Sequence, residues 1–243
     1  MSTHQNRARA MPQTGALWRI TSTRMPTGWG MFDAIGFERD ICNGGRKTET
    51  ALALVMGDLS KGIPLLRIHS QCFTGEVLGS LRCDCRDQLE TAMQAIAKEG
   101  QGLVIYEYQE GRGIGLMAKL EAYELQDAGL DTVEANHALG FKADLRDFSL
   151  PAAIVRELGI RKVRLLSNNP RKARALAEKG VEVVAQLACE AVPNPNSLAY
   201  LRAKKEKTAE ALMLDGSERT RSPRANGTQN RPRIFLADAE HAQ

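Results

Sequence analysis

Between residues 86 and 186, apolar patterns of two different periods take turns, and that alternation restricts the chain to an α/β layer architecture. Leu89, Ala92, Met93 and Ile96 recur at i, i+3, i+4 and i+7 and predict a helix over 86–99, closed by Gly100. Gly102–Tyr106 is a short apolar strand. Leu116, Leu120 and Tyr123 form the next helical stripe, which stops near Gly129. Ser149 is placed to cap a helix holding Ile154, Val155 and Leu158, ended by Gly159. A strand over Val163–Leu166 leads to Asn169 as a second cap, with Pro170 at the first helical position and Gly180 as the stop. Val181–Ala185 is the last predicted strand.

Upstream the pattern is different. Leu17–Thr21, Trp29–Phe37, Ala51–Val55 and Pro64–His69 read as strands, broken by Met25-Pro26-Thr27-Gly28 and Asn43-Gly44-Gly45. The expected fold is therefore α/β, with N-terminal antiparallel strands packed on a layered α/β region. One ordered domain is expected over 15–212, ending in a charged helix at 198–212. Residues 1–14 are polar without periodicity, and 213–243 are rich in Ser, Arg, Asn, Gly and Pro, so both ends are expected to be disordered.

No apolar run reaches the roughly 18 residues of a membrane helix, and the first residues lack the apolar stretch of a secretory signal. No membrane partner and a cytoplasmic location are the expectations. The net charge of +4 permits an anionic ligand. Arg219, Arg221, Arg224, Arg231 and Arg233 in the tail are offset by Asp215, Glu218, Asp238 and Glu240, so no nucleic-acid partner is expected.

Five cysteines are an odd set, and three are bunched as Cys72-x10-Cys83-x-Cys85, which a disulfide framework would not produce. Three thiols with no fourth nearby suit a catalytic zinc, which keeps one position open, better than a structural zinc, which is closed by four ligands. The alternative is three unrelated buried thiols, but the Ser, Thr, Arg and Asp around them make a polar stretch rather than an apolar face. Asp84 sits at the bend that Cys83-x-Cys85 needs to reach one ion. His69 is an extra ligand or lines the pocket. Cys42 and Cys189 are read as small buried residues.

Three further segments carry chemistry. Gln109-Glu110-Gly111-Arg112-Gly113-Ile114-Gly115 follows a strand and opens a helix, where glycines let backbone amides approach phosphate and Arg112 can pair with it. Glu110 can hold that arginine or contact a purine edge. Asp144-Leu145-Arg146-Asp147 is either a solvated cap or a base with a catalytic cation. Ser167-Asn168-Asn169-Pro170-Arg171-Lys172 lies at a strand end, a favoured ligand position in α/β proteins.

Taken together, these segments resemble GTP cyclohydrolase II. The resemblance is carried by Arg67-Ile68-His69-Ser70 through Cys85, Gln88-Leu89, Gln109 to Leu116, Tyr123 with Leu125-Gln126-Asp127, Asp131 to His137, Leu139-Gly140-Phe141, Asp144 to Phe148 and Leu165 to Pro170, with Pro26-Thr27-Gly28-Trp29-Gly30 as an entry motif. It covers roughly residues 17–212 and makes 15–212 a GTP cyclohydrolase II-like catalytic domain. It implies that Cys72, Cys83 and Cys85 hold zinc, which activates water toward carbon 8 of guanine. It further implies that magnesium accompanies the triphosphate and that formate and pyrophosphate leave. Arg146 would act at the α-phosphate with Asp144 as proton acceptor, and Tyr123 would assist near the ring. Arg67, Ile68, His69, Ser70, Gln71, Gln88, Glu110, Gly111, Arg112, Thr132, Ser167 and Lys172 match nucleotide-binding positions. The product would be a diaminopyrimidinone ribosylamine 5′-phosphate, the entry to riboflavin biosynthesis, and the assembly a homodimer. The dihydroxybutanone phosphate synthase domain of bifunctional relatives is expected to be absent, with no room for it before residue 17.

The chain departs from the family pattern at Gln71, where a Glu is usual, at Tyr108, usually Arg, and at Arg86, usually Gly; Ser167 replaces a usual Thr and keeps the hydroxyl. These departures keep two alternatives in view: a paralogue serving specialised metabolism or a partial reaction, and a non-catalytic zinc-bearing nucleotide sensor.

Overall fold

A computed structural model describes residues 16–41, 48–189 and 197. The expectations for residues 1–14, for Cys42 and the Asn43-Gly44-Gly45 turn, for the 198–212 helix and for the tail lie outside the described residues.

Seven strands form a single mixed sheet: β1 (Leu17–Thr27), β2 (Gly30–Asp40), β3 (Thr48–Met56), β4 (Leu65–Ser70), β5 (Gly102–Glu107), β6 (Lys162–Leu166) and β7 (Glu182–Leu187). Their spatial order is β1-β2-β3-β5-β4-β6-β7. The first three strands pair antiparallel and continue antiparallel onto β5. From β5 outward, β4, β6 and β7 are parallel. The antiparallel strands thus extend the edge of the α/β sheet, and β5 is where the two regimes meet. Pro26 sits in β1, the outermost strand, where a missing N–H costs no ladder bond on the open side.

The helices are α1 (Phe73–Glu76), α2 (Cys85–Glu99), α3 (Leu116–Asp127), α4 (Thr132–Ala138), α5 (Ser149–Glu157) and α6 (Pro170–Glu178), with a 3-10 turn at Glu110–Gly113. Alternate residues of the central strands face opposite layers. Leu65 and Val104 pack with Ala92, Met93 and Ile96 of α2. Leu66, Ile68, Leu103 and Ile105 pack with Ile154 and Val155 of α5 and Leu176 of α6. With helices on both faces, β4 and β5 are buried along nearly their whole length, and β4 carries Arg67 and His69 within its buried run.

Three local expectations are corrected. Helix α4 was not foreseen, although Asp131 and Glu134 form a complete capping box. Ser149 is not a cap but the first helical residue; its N–H and hydroxyl both donate to Asp147. In α3 the buried positions are Lys119 and Ala122, while Leu120 is exposed. A lysine takes the inward position because its ammonium finds three polar partners there. Among the described residues, no helix is long and apolar enough to cross a membrane.

Candidate active site at the strand ends

The carboxyl ends of β4, β5 and β6 lie side by side and deliver Ser70, Glu107 and Ser167 to one edge of the sheet. That edge opens into a cleft of about 1050 Å³, open mouth included.

One wall carries the cysteines. The Sγ atoms of Cys72, Cys83 and Cys85 all lie within 4.8 Å of one another, with Cys72 and Cys83 at 3.5 Å. Tetrahedral zinc with Zn–S near 2.3 Å sets its sulfurs about 3.8 Å apart, so the donor set fits that ion. Gly75 keeps the space clear: a Cβ there would come within 3.0 Å of Cys83 Sγ and 3.2 Å of Cys72 Sγ. Charge is already arranged for thiolate. Hydrogen bonds from Cys83 and Cys85, aided by Lys119, hold Cys72 far below the ordinary thiol range. As donor to Cys72, the Cys83 thiol is pushed up to about 11.

The residues around the sulfurs are tightly bonded. Lys119 Nζ donates to Cys72 Sγ at 3.2 Å, Thr74 Oγ1 at 2.8 Å and Glu110 Oε1 at 2.7 Å. Glu110 also accepts from the Phe73 N–H at 2.6 Å and from the Gly111 N–H at 2.9 Å. Glu76 accepts from the Cys72 N–H and from the Tyr106 hydroxyl, and His69 Nε2 lies 2.9 Å from the same carboxylate. Burial holds His69 down to about 4, so its ring is neutral near pH 7, with Nε2 donating to Glu76 and Nδ1 facing Arg67. Tyr123 reaches Thr74 Oγ1 at 3.4 Å, and the Arg82 guanidinium lies over its ring. Burial pushes its phenol up, so it stays protonated.

A second group runs beneath the cleft. Arg67 donates to the Leu166 carbonyl and to Gln88 Oε1 at 2.7 Å, and Gln88 Nε2 donates to Asp84 Oδ2 at 2.5 Å. This relay links β4 to the bend between Cys83 and Cys85.

The cationic end completes the cleft. Arg146 Nε donates to Asp144 Oδ1 at 2.9 Å and its terminal nitrogen to Oδ2 at 2.8 Å. Arg171 sits 3.0 Å from the same carboxylate. Burial pushes the Asp144 carboxyl up, but the Arg146 hydrogen bonds outweigh it and hold the group below the usual carboxylate value. Lys172 Nζ donates to the Ile68 carbonyl at 2.8 Å. Ser70 Oγ donates to Glu107, whose buried carboxyl is pushed above its ordinary range. In the loop below, Gly111 and Arg112 both take left-handed backbone conformations, with φ of 61° and 59°; for a non-glycine residue such as Arg112 that is strain of the kind found at ligand clamps.

Of the residues singled out in the sequence, Arg67, His69, Ser70, Gln71, the three cysteines, Gln88, Glu110, Gly111, Arg112, Tyr123, Thr132, Arg146, Ser167 and Lys172 line this one cleft. Ile68 instead lies in the core and offers only its carbonyl, and Asp144 stands behind Arg146. Lys119, Asn136 and Arg82 line the cleft but were not singled out. The signal for Lys119 was a charged residue three after Leu116 and four before Tyr123, on the stripe read as apolar. Two of the four departures fall outside the cleft: Tyr108 is exposed and packs edge-on against Tyr106, and Arg86 pairs with Glu90 on the surface. Gln71 and Ser167 line the cleft, and Ser167 keeps the hydroxyl of the usual Thr.

The family model described as GTP cyclohydrolase II matches residues 18–188. GTP cyclohydrolase-2 of Shigella boydii serotype 18 is 49% identical over 197 residues, which is 81% of this chain and 98% of that protein. The same figures hold for GTP cyclohydrolase-2 of Escherichia coli strain HS. Among solved structures, the crystal structure of RibBX, a two-domain 3,4-dihydroxy-2-butanone 4-phosphate synthase from A. baumannii, aligns with a TM-score of 0.41 at 22% identity, covering 74% of this chain and 41% of that one. The family model spans most of the chain, and relatives half identical to it are matched over nearly their whole length: the chain belongs to the GTP cyclohydrolase II family and is an enzyme of that family.

Proposed function

We propose that the chain hydrolyses GTP to formate, pyrophosphate and 2,5-diamino-6-ribosylamino-4(3H)-pyrimidinone 5′-phosphate, the first step of riboflavin biosynthesis. The observation that carries this reading is the juxtaposition, in one cleft, of a three-sulfur cradle and a cationic end built from Arg146 and Lys172. Such a cleft can take a purine at one end and a polyphosphate at the other.

Cys72, Cys83 and Cys85 would hold zinc, which when bound supplies Lewis-acid activation of water at neutral pH. Protonated Tyr123, beside the cradle, is a proton donor toward the purine ring. Magnesium would arrive with the triphosphate; among the described residues, the cysteines are the one cluster of three ligand-bearing side chains of its kind.

At the phosphate end Arg146 is best read as a charge stabiliser. Moving a proton from a guanidinium to a carboxylate spans about 9 pKa units, roughly 12 kcal/mol, and Asp144 is held below its usual value rather than above it. What Asp144 does well is fix the guanidinium in a two-pronged pair, so that its charge is in place before the phosphoryl group develops its own. The homodimer implied by the sequence resemblance and a cytoplasmic setting belong to the same proposal.

The test is incubation with GTP, zinc and magnesium, followed by the mass of the product and assay of formate and pyrophosphate. Formate, pyrophosphate and the ring-opened monophosphate together support the full reaction. Pyrophosphate without formate would leave a partial reaction. Gln71, which lines the cleft without the usual carboxylate, is the departure that would account for it. Tight nucleotide binding with no product would leave a sensor.

A further inference from the structure

Lys119 is a buried lysine on an enzyme wall, and every proton of its ammonium is committed. Its three acceptors come from two separate parts of the chain: Cys72 Sγ and Thr74 Oγ1 at the start of α1, and Glu110 Oε1 in the 3-10 turn after β5. Glu110 in turn accepts from the Phe73 N–H, one residue past Cys72. The loop holding the first sulfur and the loop holding Gly111 and Arg112 are therefore joined through one cation and one carboxylate. A group with all its donors engaged has no proton to exchange with a ligand, so its contribution is fixed charge and fixed geometry.

We propose that Lys119 is a positioning residue that couples the two halves of the cleft: its hydrogen bond draws charge from the Cys72 sulfur, and its ion pair with Glu110 sets the nucleotide-binding turn in register with that sulfur. This rests on the zinc reading above. A thiolate that accepts a hydrogen bond gives less charge to a metal, so a metal on these three sulfurs is a stronger Lewis acid than three free thiolates would make it. Partners of metal ligands typically alter metal affinity or activity by 10- to 100-fold when removed.

The experiment uses the full-length protein loaded with zinc, and separately with cobalt, as parent, Lys119→Met and Lys119→Arg. In Lys119→Met the Cys72 sulfur regains its charge but its loop loses the tie to Glu110; the lost tie dominates, so the expected results are zinc release to a competing chelator 10- to 100-fold more readily, a shifted thiolate-to-cobalt charge-transfer band, and weaker GTP binding. Lys119→Arg keeps the cation and should restore the band and part of the affinity. Because Lys119→Met strands a buried carboxylate, the double variant Lys119→Met with Glu110→Gln is measured alongside; it leaves no unpaired charge, and its cobalt band should shift as in the single variant. A folded variant with the parent's cobalt spectrum and zinc affinity overturns the proposal and makes Lys119 a space-filler. A parent protein that takes up no zinc overturns the three-cysteine reading itself, and this inference with it.

Discussion

Arg146 and Asp144 face each other in a two-pronged ion pair, Nε to Oδ1 at 2.9 Å and the terminal nitrogen to Oδ2 at 2.8 Å. The Arg146 backbone N–H also donates to the same Oδ1 at 3.0 Å, so carboxylate and guanidinium are locked within a single turn of chain. If Arg146 serves through its charge, a lysine there should keep part of its effect, and if it serves through a reacting nitrogen of the guanidinium, it should not. Arg146→Ala is expected to lose on the order of 10²–10³ in kcat, with zinc still bound. Arg146→Lys should recover at least tenfold of that loss. Rates of pyrophosphate release by the two variants check this; equal inactivity would favour a direct chemical role.

Gly75 lies against two of the three sulfurs without a side chain of its own, and its backbone carries no positive φ. Gly75→Ala therefore adds a methyl group without backbone strain, at 3.0 Å from Cys83 Sγ and 3.2 Å from Cys72 Sγ. Displacing either sulfur by a few tenths of an ångström spoils a Zn–S length that holds near 2.3 Å. The protein should fold normally and bind zinc about tenfold more weakly. Chelator competition measures it, and parental affinity in Gly75→Ala would mean the sulfurs are free to shift. Cys83→Ser is the companion variant, expected to lose zinc outright.

How far the sequence made this site legible depended on distance along the chain. Cys72, Cys83 and Cys85 were readable because two share one bend and the third is one short segment away. The caps at Asn169 and Gly100 were readable because each is a local event. The Lys119–Glu110–Phe73 linkage was not, since it joins α3, the 3-10 turn and α1. Periodicity alone cannot tell which of Lys119 and Leu120 turns inward on a short helix; the available partners decide. Likewise, Tyr108 and Arg86 stood out as departures from the family pattern, yet an exposed edge-on ring packing and a surface ion pair keep them out of the cleft.

His69 ties stability to pH. Burial holds its folded value at about 4, against the ordinary 6.5 of an unfolded chain. Between these values the unfolded state binds more protons, so stability is complete above about pH 6.5, falls as the pH drops toward 4, and levels off below. The span of 2.5 units corresponds to about 3 kcal/mol. Glu107, whose carboxyl is raised, acts in the opposite sense, losing stability as pH rises through its folded value. Urea unfolding of metal-free protein from pH 4 to 7.5, parent against His69→Gln, separates the two. The parent should lose more stability than the variant on acidification; parallel curves would mean His69 does not titrate in this window.

The relay from Arg67 through Gln88 to Asp84 predicts that a residue matched to the nucleotide acts first on the metal. Both ends of the Gln88 amide are engaged, Oε1 by Arg67 at 2.7 Å and Nε2 by Asp84 at 2.5 Å, and Asp84 lies between Cys83 and Cys85. Gln88→Ala leaves the buried Arg67 and Asp84 each short of a partner, a cost of about 1–3 kcal/mol per group. It also frees the bend that aims two sulfurs. Thermal unfolding of the variant should drop, and zinc should leave more readily. GTP binding to the zinc-saturated variant should stay within a few-fold of the parent, because the amide's own bonds are internal. Gln88→Glu sharpens the point: its second carboxylate oxygen would face Asp84, so the bend should open further than in Gln88→Ala even though the side chain is nearly isosteric. Chelator competition on both variants orders them. If GTP affinity collapses in Gln88→Ala while zinc affinity and unfolding temperature hold, Gln88 belongs to the nucleotide and not to the metal loop.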